Sequence, residues 1–194
     1  MAHANLNPRE LLTLPLPARA APQLAPAEMR DFMRIFKNQP ICWPRLGSHV
    51  AYSPRGYVRK RLFRNGQWEM LLLCWLPGQM TVIHDHGGSW GATRVLSGSL
   101  TESLFRWREA ASSVTRQRSR TLQASQITVE TDDTIHQVAN QGDMPAISLH
   151  IYSPPLVQFH SYHPQLGTRH TVKPQTRPLM AVGGVPQPDP VAAV

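Results

Sequence analysis

Cysteine is scarce in this sequence: only Cys42 and Cys74 occur among 194 residues, and they do not form a closely spaced motif. We therefore expect reduced thiols and a cytoplasmic protein rather than a disulfide framework. A hydrophobic run of the roughly 18 residues that a membrane helix needs is also lacking, because the longest candidate, 70–76, has the length of a β-strand. Pro, Asn and Arg occupy the N-terminal stretch where an export signal would have its apolar core, so we expect neither export nor a membrane partner.

Acidic residues are few as well, since 12 Asp and Glu accompany 20 Lys and Arg and leave a formal net charge of +8. A basic excess raises nucleic acid as a partner. Much of this excess lies in one polar stretch, and the sequence has no Lys/Arg run interleaved with aromatic residues. The arginines of the stretch are Arg106, Arg108, Arg116, Arg118 and Arg120. We interpret it as a solvated hairpin and expect no nucleic-acid partner.

The order of apolar and turn residues predicts a single β-rich domain preceded by a helical segment and linker, 1–55. Within that segment, apolar residues recur at helical spacing over 26–37 and are followed by a stretch broken by Pro and Gly. The chain then becomes a succession of short strands separated by turn residues. Such a pattern is typical of an all-β sandwich or small barrel, with its core at 56–165 and a loosely held tail at 172–194.

The predicted strands are short, and turn residues separate them. They cover 57–63, 67–76, a segment ending at 84–86, 92–96, 97–107, 112–122, 126–130, 134–138, 146–152 and 157–161. Asn65-Gly66 lies between the first two strands, and this dipeptide favours a type I′ hairpin turn.

Two histidines one residue apart, His84 and His86, lie at the end of a strand-like segment. Side chains alternate faces along a strand, so both imidazoles should point to one side and Asp85 to the other. Two converging imidazoles form half of a metal site, although two ordinary polar residues near a turn would give the same pattern. A third ligand has to come from elsewhere in the chain.

The spacing of glycine and histidine residues in 78–98 resembles the first cupin motif, and 136–140 resembles the core of the second. The resemblance implies a cupin-type jelly roll with a metal site formed by His84, His86 and His136. Three neutral imidazoles leave the charge of a divalent ion uncompensated and coordination positions open. Nitrogen ligands suit Fe(II), Zn(II), Cu(II) and Ni(II), so the ligand set alone leaves the metal undecided.

The chain departs from the cupin pattern at the carboxylate ligand. Cupins commonly have a Glu after the His-x-His pair, whereas Trp90 and Gly91 occupy the possible positions here. The resemblance therefore implies a site of three histidines without a carboxylate. Asp132 or Asp133 remains an alternative carboxylate ligand, although Asp is also a common turn residue.

Three segments, 83–89, 95–102 and 148–155, together resemble the cysteine dioxygenase family, and the resemblance extends over 57–155. It implies an oxidoreductase that uses Fe(II) and O2 to oxidise L-cysteine to cysteine sulfinate. We expect a monomer or weak oligomer whose partners are small molecules.

The last of these segments carries polar residues in alternation: Ser148, His150 and Tyr152 share one face of a strand. Buried together they would need to hydrogen-bond to one another, and the alternative is a solvent-facing strand. The family resemblance implies that they lie in the active site, with Tyr152 near the iron and His150 not a ligand. Arg59 matches the family arginine that binds the substrate carboxylate, a task suited to a planar guanidinium, although surface arginines are common.

Two further expectations follow from the resemblance. Mammalian members cross-link a cysteine to the active-site tyrosine, but Gly91 occupies that position here, so the Tyr152 phenol should be free and Cys74 a core residue. A related branch that acts on 3-mercaptopropionate has Gln where Arg59 stands. The alternatives are therefore a dioxygenase of 3-mercaptopropionate or mercaptosuccinate, or a non-catalytic cupin that binds a small ligand.

Overall fold

The computed structural model describes residues 14–174 and 181–182. Two α-helices precede the strands: α1 (Pro26–Asn38) and α2 (Trp43–Leu46). The strands are β1 (Tyr57–Arg64), β2 (Glu69–Trp75), β3 (Ile83–His84), β4 (Trp90–Ser97), β5 (Ser99–Arg108), β6 (Ser113–Gln123), β7 (Ile127–Glu130), β8 (Ile135–Ala139), β9 (Ala146–Ser153), β10 (Phe159–His163), β11 (Thr168–Val172) and β12 (Ala181–Val182). Within the described residues, no helix is long and apolar enough to cross a membrane.

The strands form two antiparallel sheets of six. The first sheet has the order β12-β1-β2-β9-β4-β7, and the second has the order β11-β10-β3-β8-β5-β6. Leu71 and Leu73 of the first sheet share a buried apolar cluster with Leu100, Leu122 and Val138 of the second. The inner faces of the sheets therefore pack on one another, and the predicted all-β, cupin-type β-sandwich with N-terminal helices is confirmed.

The N-terminal helix covers the outer face of the first sheet. Phe32 and Phe36 of α1 belong to the same buried cluster as Met70 and Ile151 from the sheet. With apolar material on both faces, β2 and β9 are buried at every position. Helix α1 begins at Pro26, as the sequence predicted, and ends at Asn38, one residue beyond the prediction.

The first hairpin forms where it was predicted, but its turn type was predicted wrongly. Neither Asn65 nor Gly66 adopts the positive φ that a type I′ turn requires. The Asn65 side chain instead accepts hydrogen bonds from the backbone N–H groups of Gln67 (2.8 Å) and Trp68 (2.7 Å). An Asx-type turn therefore replaces the two-residue loop.

Three other differences concern the ends of the domain and the histidine strand. Strand β3 contains only Ile83 and His84, so His86 lies in the turn that follows rather than on the strand. Strand β11 was not predicted, and α2 lies within the predicted linker. Of the predicted tail, 175–180 and 183–194 lie outside the described residues, so its loose attachment stays a prediction, as does the single-domain division of the whole chain.

Candidate metal centre and active site

Three histidines converge at the inner side of the second sheet. His84 ends β3, His86 follows in the turn, and His136 on β8 is the direct cross-strand partner of His84. One ring nitrogen from each lies within 4.8 Å of those of the other two. Cross-strand pairing thus supplies the third arm of the site, at the residue predicted from the sequence.

Hydrogen bonds orient two of these imidazoles. His84 Nδ1 lies 2.9 Å from the Val82 carbonyl oxygen, and His136 Nδ1 lies 3.0 Å from Glu102 Oε1. A carbonyl and an ionised carboxylate only accept, so both Nδ1 atoms carry the proton. Each Nε2 therefore keeps a lone pair for a metal, the arrangement usual for histidine ligands.

His86 supplies the clearest sign that the site is built for a metal. Its ring is buried, and neither ring nitrogen has a hydrogen-bond partner among the described residues. A buried imidazole without a partner is unfavourable, and a metal ion bound at one nitrogen would satisfy it. The three-histidine set therefore fits a divalent ion that accepts nitrogen ligands.

Burial also sets the charge of the ligands. It lowers the pKa of His84 to about 3, and neighbouring His136 adds to the effect. Burial likewise lowers the pKa of His86 well below its usual value, again reinforced by His136. Neutral imidazole is the form that binds a metal, so these two histidines are held in their ligating state at neutral pH.

Glu102 on β5 anchors the third histidine and had no role in the sequence-based prediction. Besides His136, its carboxylate accepts bonds from Arg120 Nε (2.8 Å) and Nη2 (2.6 Å) and from the Thr128 hydroxyl (3.0 Å). Burial alone would raise the pKa of Glu102, but the bonds from His136 and Arg120 lower it to about 2. Glu102, Glu130 and His136 also form a geometrically possible ligand group. Because those partners already use Glu102 and His136 Nδ1, the three-histidine set is the better metal site.

The predicted polar face of β9 is a buried hydrogen-bonded chain, not a solvent-facing strand. Trp75 Nε1 donates to Ser148 Oγ at 2.9 Å, and Ser148 Oγ lies 2.8 Å from His150 Nε2. The indole N–H can only donate, so Ser148 Oγ accepts from Trp75, and His150 Nε2 is the acceptor within reach of the serine proton. With Nε2 accepting, His150 carries its own proton on Nδ1. That Nδ1 faces Thr93 Oγ1 at 2.9 Å and the Tyr152 hydroxyl at 3.4 Å.

Tyr152 lies directly beside the histidine cluster. Its ring centroid is 5.3 Å from that of His86. Burial raises the pKa of Tyr152 above its usual value. The phenol is therefore protonated at neutral pH. With its proton on Nδ1, His150 has Thr93 Oγ1 as its nearer acceptor and offers the phenol no lone pair, so the phenolic proton can point elsewhere.

Arg59 lies on β1 at the inner face of the first sheet, in the same cross-strand row as Leu73 and Ser148. Burial is the main cause that lowers the pKa of both His84 and His150 to about 3, and the charge of Arg59 contributes to each shift. Arg59 is thus close enough for its charge to act on the site. Within the part of the chain that the structure describes, its guanidinium forms no ion pair or hydrogen bond.

The acidic alternatives to the histidine ligands lie away from the site. Asp85 faces the other way, as predicted: Oδ2 accepts from His160 Nδ1 and the Tyr162 hydroxyl, both at 2.8 Å. Asp132 and Asp133 are exposed in the turn before β8 and belong to neither ligand group. The alternative of a carboxylate ligand from that turn is therefore wrong.

The remaining predictions concern the cysteines and Gly91. Cys74 is buried in the outer cluster of the first sheet, which confirms it as a core residue, and Cys42 is also a free thiol. A Cβ atom at Gly91 would lie 3.1 Å from the Tyr152 ring. The residue next to the tyrosine thus carries no thiol.

Comparison with known proteins identifies a family. The family model described as cysteine dioxygenase type I matches residues 20–165. Human cysteine dioxygenase type 1 is 31% identical over 132 residues, which cover 66% of this chain and 64% of the human protein. The protein of the same name from Danio rerio is 32% identical over 133 residues, with coverage of 66% and 65%. The matches thus span slightly less than two thirds of the length of these curated relatives.

Solved structures also resemble the chain. A protein of Thermus thermophilus has a TM-score of 0.48 at 21% identity, covering 56% of this chain and 93% of that one. A Klebsiella pneumoniae protein described as having a double-stranded β-helix domain has a TM-score of 0.49 at 19% identity, covering 61% and 94%.

Proposed function

The chain belongs to the cysteine dioxygenase type I family, and on that premise we propose that it is an Fe(II)-dependent dioxygenase that oxidises L-cysteine to cysteine sulfinate with O2. The observation that carries the proposal is the juxtaposition at one site of three converging histidines, a protonated Tyr152 and Arg59, whose guanidinium has no partner among the described residues. The proposed reaction needs these groups as ligands for a redox metal, as a proton donor and as a cation that binds a carboxylate.

His84, His86 and His136 would hold the metal through neutral ring nitrogens. Structural metal sites usually have four protein ligands, so a set of three supports a reactive site with room for substrate. Bound Fe(II) supplies the electron-transfer and O2 chemistry that amino-acid side chains lack. Glu102 fixes the tautomer and direction of His136, and the Val82 carbonyl does the same for His84.

Arg59 would bind the substrate carboxylate. Two neighbouring arginines of β1 already approach Glu69, with Arg61 Nη1 at 3.9 Å and Arg64 Nη1 at 3.4 Å from Oε1. Arg59 lacks such a partner among the described residues and is partly buried. A guanidinium in this state favours an anionic ligand, and its fork of N–H groups matches a carboxylate.

Tyr152 would act as a hydrogen-bond donor to the substrate sulfur or to oxygen. Its phenol stays protonated because burial raises its pKa. The Trp75–Ser148–His150 chain leaves the proton of His150 on Nδ1, so this nitrogen offers the phenol no lone pair. The phenolic proton is thereby left for the reacting molecule. Tyr152 would hold this proton in place and would not act as a base.

The choice of substrate rests on Arg59, whose charge acts on the site and whose guanidinium has no partner among the described residues. One free guanidinium matches a thiol with one carboxylate, which supports L-cysteine over mercaptosuccinate. Family resemblance also supports L-cysteine over 3-mercaptopropionate, since the branch acting on that thiol has Gln at this position. A non-catalytic ligand-binding protein would not need the hydrogen-bonded Ser148–His150–Tyr152 chain.

Oxygen uptake by the iron-loaded protein tests the proposal. A panel of L-cysteine, 3-mercaptopropionate, mercaptosuccinate and an alkyl thiol should give the fastest uptake with L-cysteine. The His136→Ala variant, which lacks one ligand, is the matched control and should be inactive. Full iron occupancy with no oxygen uptake for any thiol would overturn the enzyme proposal. Fastest oxygen uptake with another thiol of the panel would overturn L-cysteine as the substrate.

A further inference from the structure

Glu130 at the end of β7 is a buried carboxylic acid to which the proposed reaction gives no role. Its exposed fraction is 0%, and neither carboxyl oxygen has a hydrogen-bond partner among the described residues. Burial of a carboxyl group without a partner is unfavourable for folding. Groups of this kind are rare in native proteins and often have a functional explanation.

The register of the first sheet places Glu130 in one row with Tyr152. Strand β4 lies between β9 and β7, and Gly91 pairs with Tyr152 on one side and with Glu130 on the other. Residues directly opposite one another on neighbouring strands share a face. The middle position of this row carries no side chain, so the two outer side chains can approach each other over it.

The space above Gly91 is filled from both sides. A Cβ atom at this position would lie 2.9 Å from Glu130 Oε2 and 3.1 Å from both Cδ1 and Cε1 of Tyr152. Glu130 and one edge of the tyrosine ring therefore border the same small space. The edge of an aromatic ring carries partial positive charge, so a carboxyl oxygen is a favourable neighbour for it.

The hydroxyl of Tyr152 is less firmly held than its ring edge. Its contact with His150 Nδ1 is 3.4 Å long, while Thr93 Oγ1 lies at 2.9 Å from the same nitrogen. Packing against the ring must therefore contribute to the orientation of the phenol. Thr93 also interacts with the Glu130 carboxyl, although the contact falls short of full hydrogen-bond geometry.

We propose that Glu130 is a positioning residue whose carboxyl fills the space above Gly91 and fixes the ring of Tyr152 beside the three-histidine site. The inference rests on the proposed function for its effect on catalysis. Its effect on the position of the ring does not depend on turnover. The position of the Tyr152 ring and the rate of the reaction are therefore measured separately.

The position of the ring is measured by fluorine NMR on metal-free protein labelled with 3-fluorotyrosine. The chain has four tyrosines, and Tyr152→Phe assigns the resonance of Tyr152. Glu130→Gln keeps the shape of a neutral acid and should leave this resonance unchanged, whereas Glu130→Ala and Glu130→Asp should shift or broaden it. Val129→Ala, on the exposed neighbour in β7, is the control and should have no effect. An unchanged Tyr152 resonance in the alanine and aspartate variants would overturn the proposal.

Steady-state kinetics on the iron-loaded protein test the effect of Glu130 on catalysis. Glu130→Ala should lower kcat by about tenfold to 100-fold, as a small displacement of a catalytic group does, with little change in KM. In the Tyr152→Phe background the same change should cause no further loss, because the ring would no longer present a hydroxyl. Equal losses in both backgrounds would contradict positioning through Tyr152. If wild-type protein oxidised no thiol, the proposed function would fail, and the NMR result would still decide the role of Glu130.

Discussion

His136 Nδ1 donates a 3.0 Å hydrogen bond to the carboxylate of Glu102, and both side chains are buried. This bond joins a proposed metal ligand on β8 to a neighbouring strand, β5, and from there to Arg120 and Thr128 on the next two strands of the chain. The direction of the ligand thus depends on a network that extends into both sheets.

Glu102→Gln should weaken metal binding while leaving the three histidines in place. An amide lacks the charge that holds His136 and Arg120, and loss of such a partner typically lowers metal affinity by about 10–100-fold. Competition with a metal-binding dye measures the dissociation constant. Glu109→Gln, on an exposed glutamate after β5, is the control, and equal affinity in both variants would contradict the assigned role of Glu102.

Arg59→Ala should raise KM for L-cysteine without changing iron content. Loss of hydrogen bonds to a charged group should lower kcat/KM by about 100-fold. Lys60→Ala is the matched control, because the neighbouring residue points to the opposite face of β1. Retained cysteine affinity in the Arg59 variant would exclude it as the carboxylate-binding residue.

Asp85→Ala should destabilise the protein although Asp85 does not bind the metal. Its carboxylate accepts bonds from the backbone N–H groups of Gly87 and His160 and from the side chains of His160 and Tyr162. These bonds tie the turn that carries His86 to β10. Urea denaturation should show a loss of about 2–4 kcal/mol in the free energy of unfolding. Asp143→Ala, at an exposed position, should show little loss, and similar values for the two variants would contradict this role.

Stability should depend on pH through Glu130. Burial, and then the charge of Glu102, raises its pKa well above the usual 4.5, so the folded state keeps a proton that the unfolded chain releases. The stability contribution is therefore complete below the unfolded pKa and is lost as pH rises towards the folded pKa. Relative to wild type, metal-free Glu130→Gln should become more stable as pH rises from the unfolded towards the folded pKa, by up to about 1.4 kcal/mol per pH unit. Urea denaturation across this range measures it, and a difference independent of pH would contradict a raised pKa.

The sequence was sufficient to predict features that depend on local periodicity. Alternation along a strand placed Ser148, His150 and Tyr152 on one face and turned Asp85 away from His84. The family resemblance supplied His136, whose position opposite His84 requires the pairing of β3 with β8.

Features that depend on cross-strand register were missed. Glu102 is in phase with Leu100 and Leu104 on β5, and a charged residue in an apolar phase is a signal that could have identified it. Glu130 meets Tyr152 only because β4 lies between their strands, and no local pattern contains that order. The turn at Asn65 differed because its side chain competed for backbone groups that a type I′ turn leaves to the hairpin.

The most direct measurement of the central claim is the origin of the oxygen in the product. Iron-loaded protein is supplied with L-cysteine under isotopically heavy O2 in ordinary water, and the product is analysed by mass spectrometry. The proposed function predicts cysteine sulfinate in which both added oxygen atoms are heavy. Cystine with hydrogen peroxide, or sulfinate carrying oxygen from water, would contradict it.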